Sequence, residues 1–167
     1  PGEGRALFHL DQGMGGGKSH ALVGLFHMAA HPEEFFATSL GSAVAIEAQR
    51  GGADVDLAGA RTVTLTADHF TPGRRSDAFG PATTLFERFV WSLVPGDMDA
   101  YLRYVGMGPN KSTLQQVLRD AGGPVLILLD ELMDYVLQLS DASAIATMPG
   151  EKVFLNSLMD ACDDVPR

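Results

Sequence analysis

Apolar positions along the chain fall into short dense runs and longer helical stripes, separated by glycine- and proline-bearing breaks. Ala6, Leu7, Phe8 and Leu10 predict a strand over 5–10, and the glycine-dense stretch 11–17 predicts a loop. From Ser19 to His31, residues Leu22, Val23, Leu25, Phe26, Met28 and Ala29 cover most of a helical circumference, the mark of a buried helix, with Pro32 as its stop. A helix is read over 32–49 and a loop over 51–59. A strand follows over 61–67, where Thr62, Val63, Thr64 and Thr66 are β-branched. After a loop over 71–81, residues 84–93 read as an amphipathic helix with Leu85, Phe86, Phe89, Val90 and Leu93 inward. A short helix is read over 98–105, then one over 111–121, opened by a capping box of Ser112 with Gln115 and closed by Gly122 and Gly123. Val125 to Leu129 is a continuous apolar run, which suits a central parallel strand buried on both faces. A helix over 132–139, a loop over 140–150 and a last helix over 151–162 complete the pattern. Val153, Phe154, Leu158, Met159 and Cys162 fall on one side of that last helix.

Strands alternating with helices imply an α/β fold with a mostly parallel sheet and flanking helices. Only three strands are legible, so 1–167 reads as a single partial domain that stops before a further strand of the sheet. The missing methionine at Pro1 also reads as a piece of a larger protein. A hydrophobic fraction of 46% is enough to bury a core, which argues against disorder for most of the chain. The net charge of −9 argues against a broad surface for nucleic-acid phosphates. One cysteine, Cys162, allows no internal disulfide and fits a reducing, cytoplasmic setting. No apolar stretch approaches the roughly 20 residues of a membrane span, and no signal peptide is legible, so no membrane partner is expected.

The chemistry concentrates in two places. Gln12-Gly13-Met14-Gly15-Gly16-Gly17-Lys18-Ser19 follows a predicted strand and opens a predicted helix. It approximates the phosphate-binding pattern G-x-x-x-x-G-K-[ST], with Gln12 where the first glycine falls. A triphosphate needs backbone N–H groups turned inward, and glycines permit that path because no Cβ obstructs it. Gly13, Met14, Gly15, Gly16, Gly17, Lys18, Ser19 and His20 are therefore expected to bind nucleotide. Lys18 would reach the β- and γ-phosphates and the Ser19 hydroxyl would hold Mg²⁺. The plain alternative is a glycine loop with a solvated lysine.

The second is the apolar run ending in Asp130-Glu131, the Walker B form. Asp130 would support Mg²⁺ with Ser19, and Glu131 would polarise the attacking water, so Glu131 and Lys18 are the expected catalytic residues. Neighbouring carboxylates on a strand point to different sides, which lets one serve metal and the other the γ-phosphate. The alternative is two solvated acids. Elsewhere, His9, His27, His31 and His69 lack ligand spacing with cysteine or carboxylates. Arg74 and Arg75 read as a solvated loop. Asp68 ends a predicted strand close to the site, Asp134 reads as surface, and Phe86, Phe89 and Trp91 read as core.

The stretch His9 to His20, together with Pro124 to Tyr135, resembles a family of large prokaryotic AAA-like P-loop ATPases of unknown function. Members are often encoded beside DNA methyltransferase, restriction or phage-defence genes. The resemblance is specific at these two segments and loose elsewhere. It implies a P-loop core, ATP and Mg²⁺ as ligands, and tolerance of a non-glycine at Gln12. It also implies partners that are DNA or DNA-modification proteins engaged through regions outside this stretch; a homo-oligomer is compatible with this reading. Selection of ATP over GTP rests on the resemblance, since no Asn-Lys-x-Asp pattern is present. Three functions are compatible with the motifs. The first is Mg²⁺-dependent ATP hydrolysis coupled to DNA modification or phage defence, with weak turnover expected of this stretch alone. The second is a nucleotide-controlled interaction module without useful hydrolysis. The third, a small-molecule kinase, is disfavoured by the Asp-Glu ending.

Overall fold

The computed structural model describes residues 7–10, 17–52, 57, 59–66, 74–132, 135 and 148–164. Seven helices and two strands are described. The helices are α1 (Lys18–Ala30), α2 (Pro32–Phe36), α3 (Ser39–Arg50), α4 (Leu85–Leu93), α5 (Met98–Met107), α6 (Lys111–Asp120) and α7 (Met148–Asp164). The strands are β1 (Arg61–Thr66) and β2 (Val125–Asp130). They pair in parallel, in a register from Arg61↔Val125 to Thr66↔Asp130. A parallel pair needs a long crossover, and the chain between the strands carries α4, α5 and α6. The architecture is mixed α/β around a parallel pair.

Alternation along the strands sends successive side chains to opposite faces. Val63 and Leu65 of β1, fully buried, and Val125, Ile127 and Leu129 of β2 join the main core. Thr64, Thr66, Leu128 and Asp130 face a cleft beside α1. The pair is thus sandwiched between α1 and a helical layer containing α4. That layer holds most of the core: Leu85, Phe86, Phe89, Val90 and Leu93 are all buried, against Tyr101, Tyr104, Leu114, Val117, Phe154 and Leu158. Phe154 lies 6.0 Å from Phe86 and 5.7 Å from Phe89 between ring centroids, which locks α7 to α4.

Helix ends explain why α4 begins where it does. The Thr84 hydroxyl accepts from Glu87 N, and the Glu87 carboxylate accepts from Thr84 N, a complete capping box. The Glu151 carboxylate of α7 accepts from Leu85 N through both oxygens, at 3.1 and 3.2 Å. At the other end, the Arg61 guanidinium donates to the Leu93 carbonyl at 2.8 Å, placing a cation at the negative helix end. Gly80, at φ 53°, turns the chain against the face of Trp91, where a Cβ would come within 2.7 Å of the ring.

Several expectations are corrected. Leu7 to Leu10 form no strand, and Phe8 is 77% exposed; a strand there needs a neighbour to accept its backbone hydrogen bonds, and none is present among the described residues. Two strands are described where three were expected. Only Ala29 of α1 is buried, although the helix is apolar on most sides. Leu128 alone of β2 is buried; among the described residues β2 has a strand neighbour on one edge only, β1, and residues on both of its faces are otherwise half-buried. The cap of α6 is Asn110, whose side chain accepts from Thr113 N, so Ser112 lies inside the first turn. The last helix starts at Met148, inside the expected loop, and its inward residues are Glu151, Phe154, Leu158 and Ala161. Val153 and Met159 are exposed because they sit off that stripe. The stretch 32–49 divides into α2 and α3. Leu132 and Tyr135 are helical as expected, and the rest of that predicted helix lies outside the described residues.

Candidate functional site: the cleft between α1 and the strand ends

The first turn of α1 is held by its backbone. Gly17, its N-cap, has φ 79° in the left-handed region that suits glycine, and Ala21 N donates to Gly17 O at 2.9 Å. The N-cap supplies no side-chain acceptor to the helix, and no acidic residue occupies the first turn. The positive end of the helix dipole is therefore not offset by residues of its own first turn. Lys18 opens the helix and is half-buried, while Ser19 and His20 are exposed. Gly13, Met14, Gly15 and Gly16 lie outside the described residues.

Asp130 ends β2, and Glu131 immediately leaves the strand direction. Glu131 has φ 55°, the one non-glycine residue with positive φ among those described. That conformation costs a residue with a Cβ about 1–3 kcal/mol. Asp130 offsets part of the cost, because its Oδ1 accepts from Glu131 N at 3.0 Å. Its other oxygen reaches across the cleft: Ser19 Oγ donates to Asp130 Oδ2 at 3.0 Å, joining residues 111 apart in sequence.

Ser19, Thr66, Asp130 and Glu131 make the polar end of a cavity of about 540 Å³, and Leu22, Val23, Phe26 and Leu128 contribute to its apolar wall. Two hard oxygen ligands, a hydroxyl and a carboxylate, thus stand together at the N-terminus of a helix. Magnesium commonly takes one or two protein oxygens and draws its remaining ligands from water and phosphate, so this donor set fits it. No cluster of three or more His, Cys, Asp or Glu is gathered among the described residues, so no cage of protein ligands alone is described there.

Comparison of the chain with protein-family models, with curated proteins and with solved structures finds no match.

The structure brings Ser19, Asp130 and Glu131 to one cleft. Asp68, His69 and Asp134 lie outside the described residues. His9, His27 and His31 are exposed, and the His27 and His31 rings lie 5.8 Å apart between centroids, tilted by 36°. Arg74 and Arg75 are exposed, and the Arg74 carbonyl accepts from the Arg88 guanidinium at 2.9 Å. Phe86 and Phe89 are buried and Trp91 is half-buried in the core. No helix among the described residues is long and apolar enough to cross a membrane.

Sequence reasoning missed a buried polar group behind the cleft. Arg88, Tyr135 and Glu151 are 2%, 2% and 3% exposed. Tyr135 donates its hydroxyl to Glu151 Oε1 at 2.5 Å. Arg88 lies over the Phe79 ring, 5.6 Å from its centroid. Burial raises the Glu151 carboxyl above its ordinary range, opposed by its hydrogen bonds from Tyr135 and Leu85 and by the Arg88 charge. Burial likewise raises the Tyr135 phenol and lowers the Arg88 guanidinium. The signal was present: Arg88 follows three residues after Leu85 on the apolar stripe, and Glu151 precedes Phe154 by three and Leu158 by seven.

Proposed function

We propose that this chain is the nucleotide-binding part of a P-loop ATPase, binding ATP with Mg²⁺ and hydrolysing it. The observation that carries the reading is the 3.0 Å contact between Ser19, at the start of α1, and Asp130, at the end of β2. A Gly-Lys-Ser helix start and an Asp-Glu strand end are what phosphoryl transfer asks of a protein, because that chemistry is mostly positioning and charge stabilisation.

In this reading the helix start and Lys18 bind and orient the phosphates. The Ser19 hydroxyl and the Asp130 carboxylate would hold Mg²⁺, which neutralises phosphate charge when bound. Glu131, in the same cleft, orients the attacking water and takes up its proton. Coupling to DNA modification or phage defence in the full-length protein rests on the resemblance of 9–20 and 124–135 alone. Mg²⁺-dependent phosphate release by the full-length protein, lost in Lys18→Ala and in Glu131→Gln, is the test. Unchanged turnover in both variants would reject the assignment.

A second reading is a nucleotide-controlled interaction module without useful hydrolysis. It is favoured by one observation: none of the described residues lining the cleft is an arginine that could offset charge developing on the γ-phosphate. Tight nucleotide binding by the full-length protein with no phosphate release would select it.

A further inference from the structure

Glu131 sits at the tip of β2 in a left-handed conformation. Its N–H is tied to Asp130 Oδ1, but its carbonyl accepts from Tyr135 N at 3.4 Å, near the limit of a useful hydrogen bond. The far end of the turn is also fixed through a side chain. Tyr135 is buried, and its hydroxyl donates to Glu151 at 2.5 Å. Glu151 is itself fixed, since both of its oxygens accept from Leu85 N at the start of α4. Leu85 and Phe154, on either side of this contact, lie in the main core.

We propose that Tyr135 and Glu151 are positioning residues for Glu131: they latch the segment after β2 to the start of α4 and so keep the Glu131 backbone in its left-handed turn at the cleft. The structural half of this inference stands on the contacts above. Its consequence for turnover rests on the proposed hydrolysis. A latch of this kind explains why a carboxylate and a tyrosine are buried together behind the cleft, where an apolar pair would pack without desolvating a charge.

The test is residue-resolved amide exchange by NMR on this chain, joined to kinetics on the full-length protein. In Tyr135→Phe, which keeps the ring and removes the donor, the amides of Glu131 and Tyr135 are expected to exchange roughly fivefold to tenfold faster, while those of Val125 to Leu129 stay unchanged. Glu151→Met, which removes the acceptor but fills its space, is expected to give the same change. Glu151→Gln keeps a carbonyl acceptor and is expected to stay within about twofold of the parent. In the full-length protein, Tyr135→Phe is expected to lower kcat about tenfold with KM unchanged, and to have no further effect in a Glu131→Gln background. A merely structural role would reduce the folded fraction without that split or that non-additivity. Unchanged exchange at Glu131 in folded Tyr135→Phe overturns the latch. Faster exchange with kcat unchanged overturns its positioning role. Faster exchange in a parent that binds nucleotide without turnover upholds the latch and rejects the proposed hydrolysis instead.

Discussion

Replacing Asp130 by alanine removes two contacts with separate jobs. Oδ2 holds Ser19 across the cleft and Oδ1 holds the Glu131 N–H, each at 3.0 Å. Each hydrogen bond is worth about 0.5–1.5 kcal/mol net, with the lower end apt here because water can replace partners at an exposed site. Loss of both predicts a destabilisation of about 1–2 kcal/mol in the absence of ligand, or roughly 2–8 °C in Tm for a domain of this size. Ser19→Ala removes one contact and is expected to cost about half as much; the Ser19→Ala/Asp130→Ala cycle should show a coupling of at least about 0.5 kcal/mol. Urea unfolding followed by far-UV circular dichroism measures all three variants. A single-variant loss below about 0.3 kcal/mol for Asp130→Ala, with no coupling, would refute the claim that this carboxylate organises the cleft.

Three further outcomes follow from the packing. Phe154→Ala empties a fully buried position between Phe86 and Phe89 and is expected to cost about 3–5 kcal/mol by urea unfolding. Gly80→Ala places a Cβ 2.7 Å from the Trp91 ring at φ 53° and is expected to cost about 1–3 kcal/mol, with a change in tryptophan fluorescence. Glu151→Gln should alter the pH dependence of stability. The folded carboxyl is raised above its ordinary 4.5, so the folded state binds more protons and this group's contribution to stability falls as pH rises through the window above 4.5. The variant lacks that slope, so its stability relative to the parent should improve from pH 4.5 to pH 8. A flat or falling difference would contradict the burial argument.

The sequence carried the local patterns well and the tertiary placements less well. The amphipathic stripe of α4 emerged with each of its five named apolar residues buried, because a period of 3.6 needs only local information; Arg88, buried on the same helix, was missed. The runs read as strands over 61–67 and 125–129 are strands at Arg61–Thr66 and Val125–Asp130 for the same reason. What failed depended on partners. Leu7 to Leu10 have strand composition, but a strand exists only where another backbone completes its ladder. The apolar circumference of α1 suggested burial, and burial depends on what lies across from it. At the site, the residue types at Ser19, Asp130 and Glu131 were legible from motif spacing, and their meeting in one cleft needed the fold. The left-handed backbone of Glu131 and the Tyr135–Glu151 contact had no motif to announce them, because they arise from packing between distant segments.

A metal–triphosphate held between Ser19 and Asp130 is the centre of the proposed function. Manganese, a paramagnetic substitute for magnesium, can be titrated into this chain with and without ATP while amide signals are followed by NMR. Broadening is expected to centre on Ser19 and Asp130, to require ATP at low metal concentration, and to disappear in Lys18→Ala. Broadening centred elsewhere, or identical with and without ATP, would contradict the proposed function.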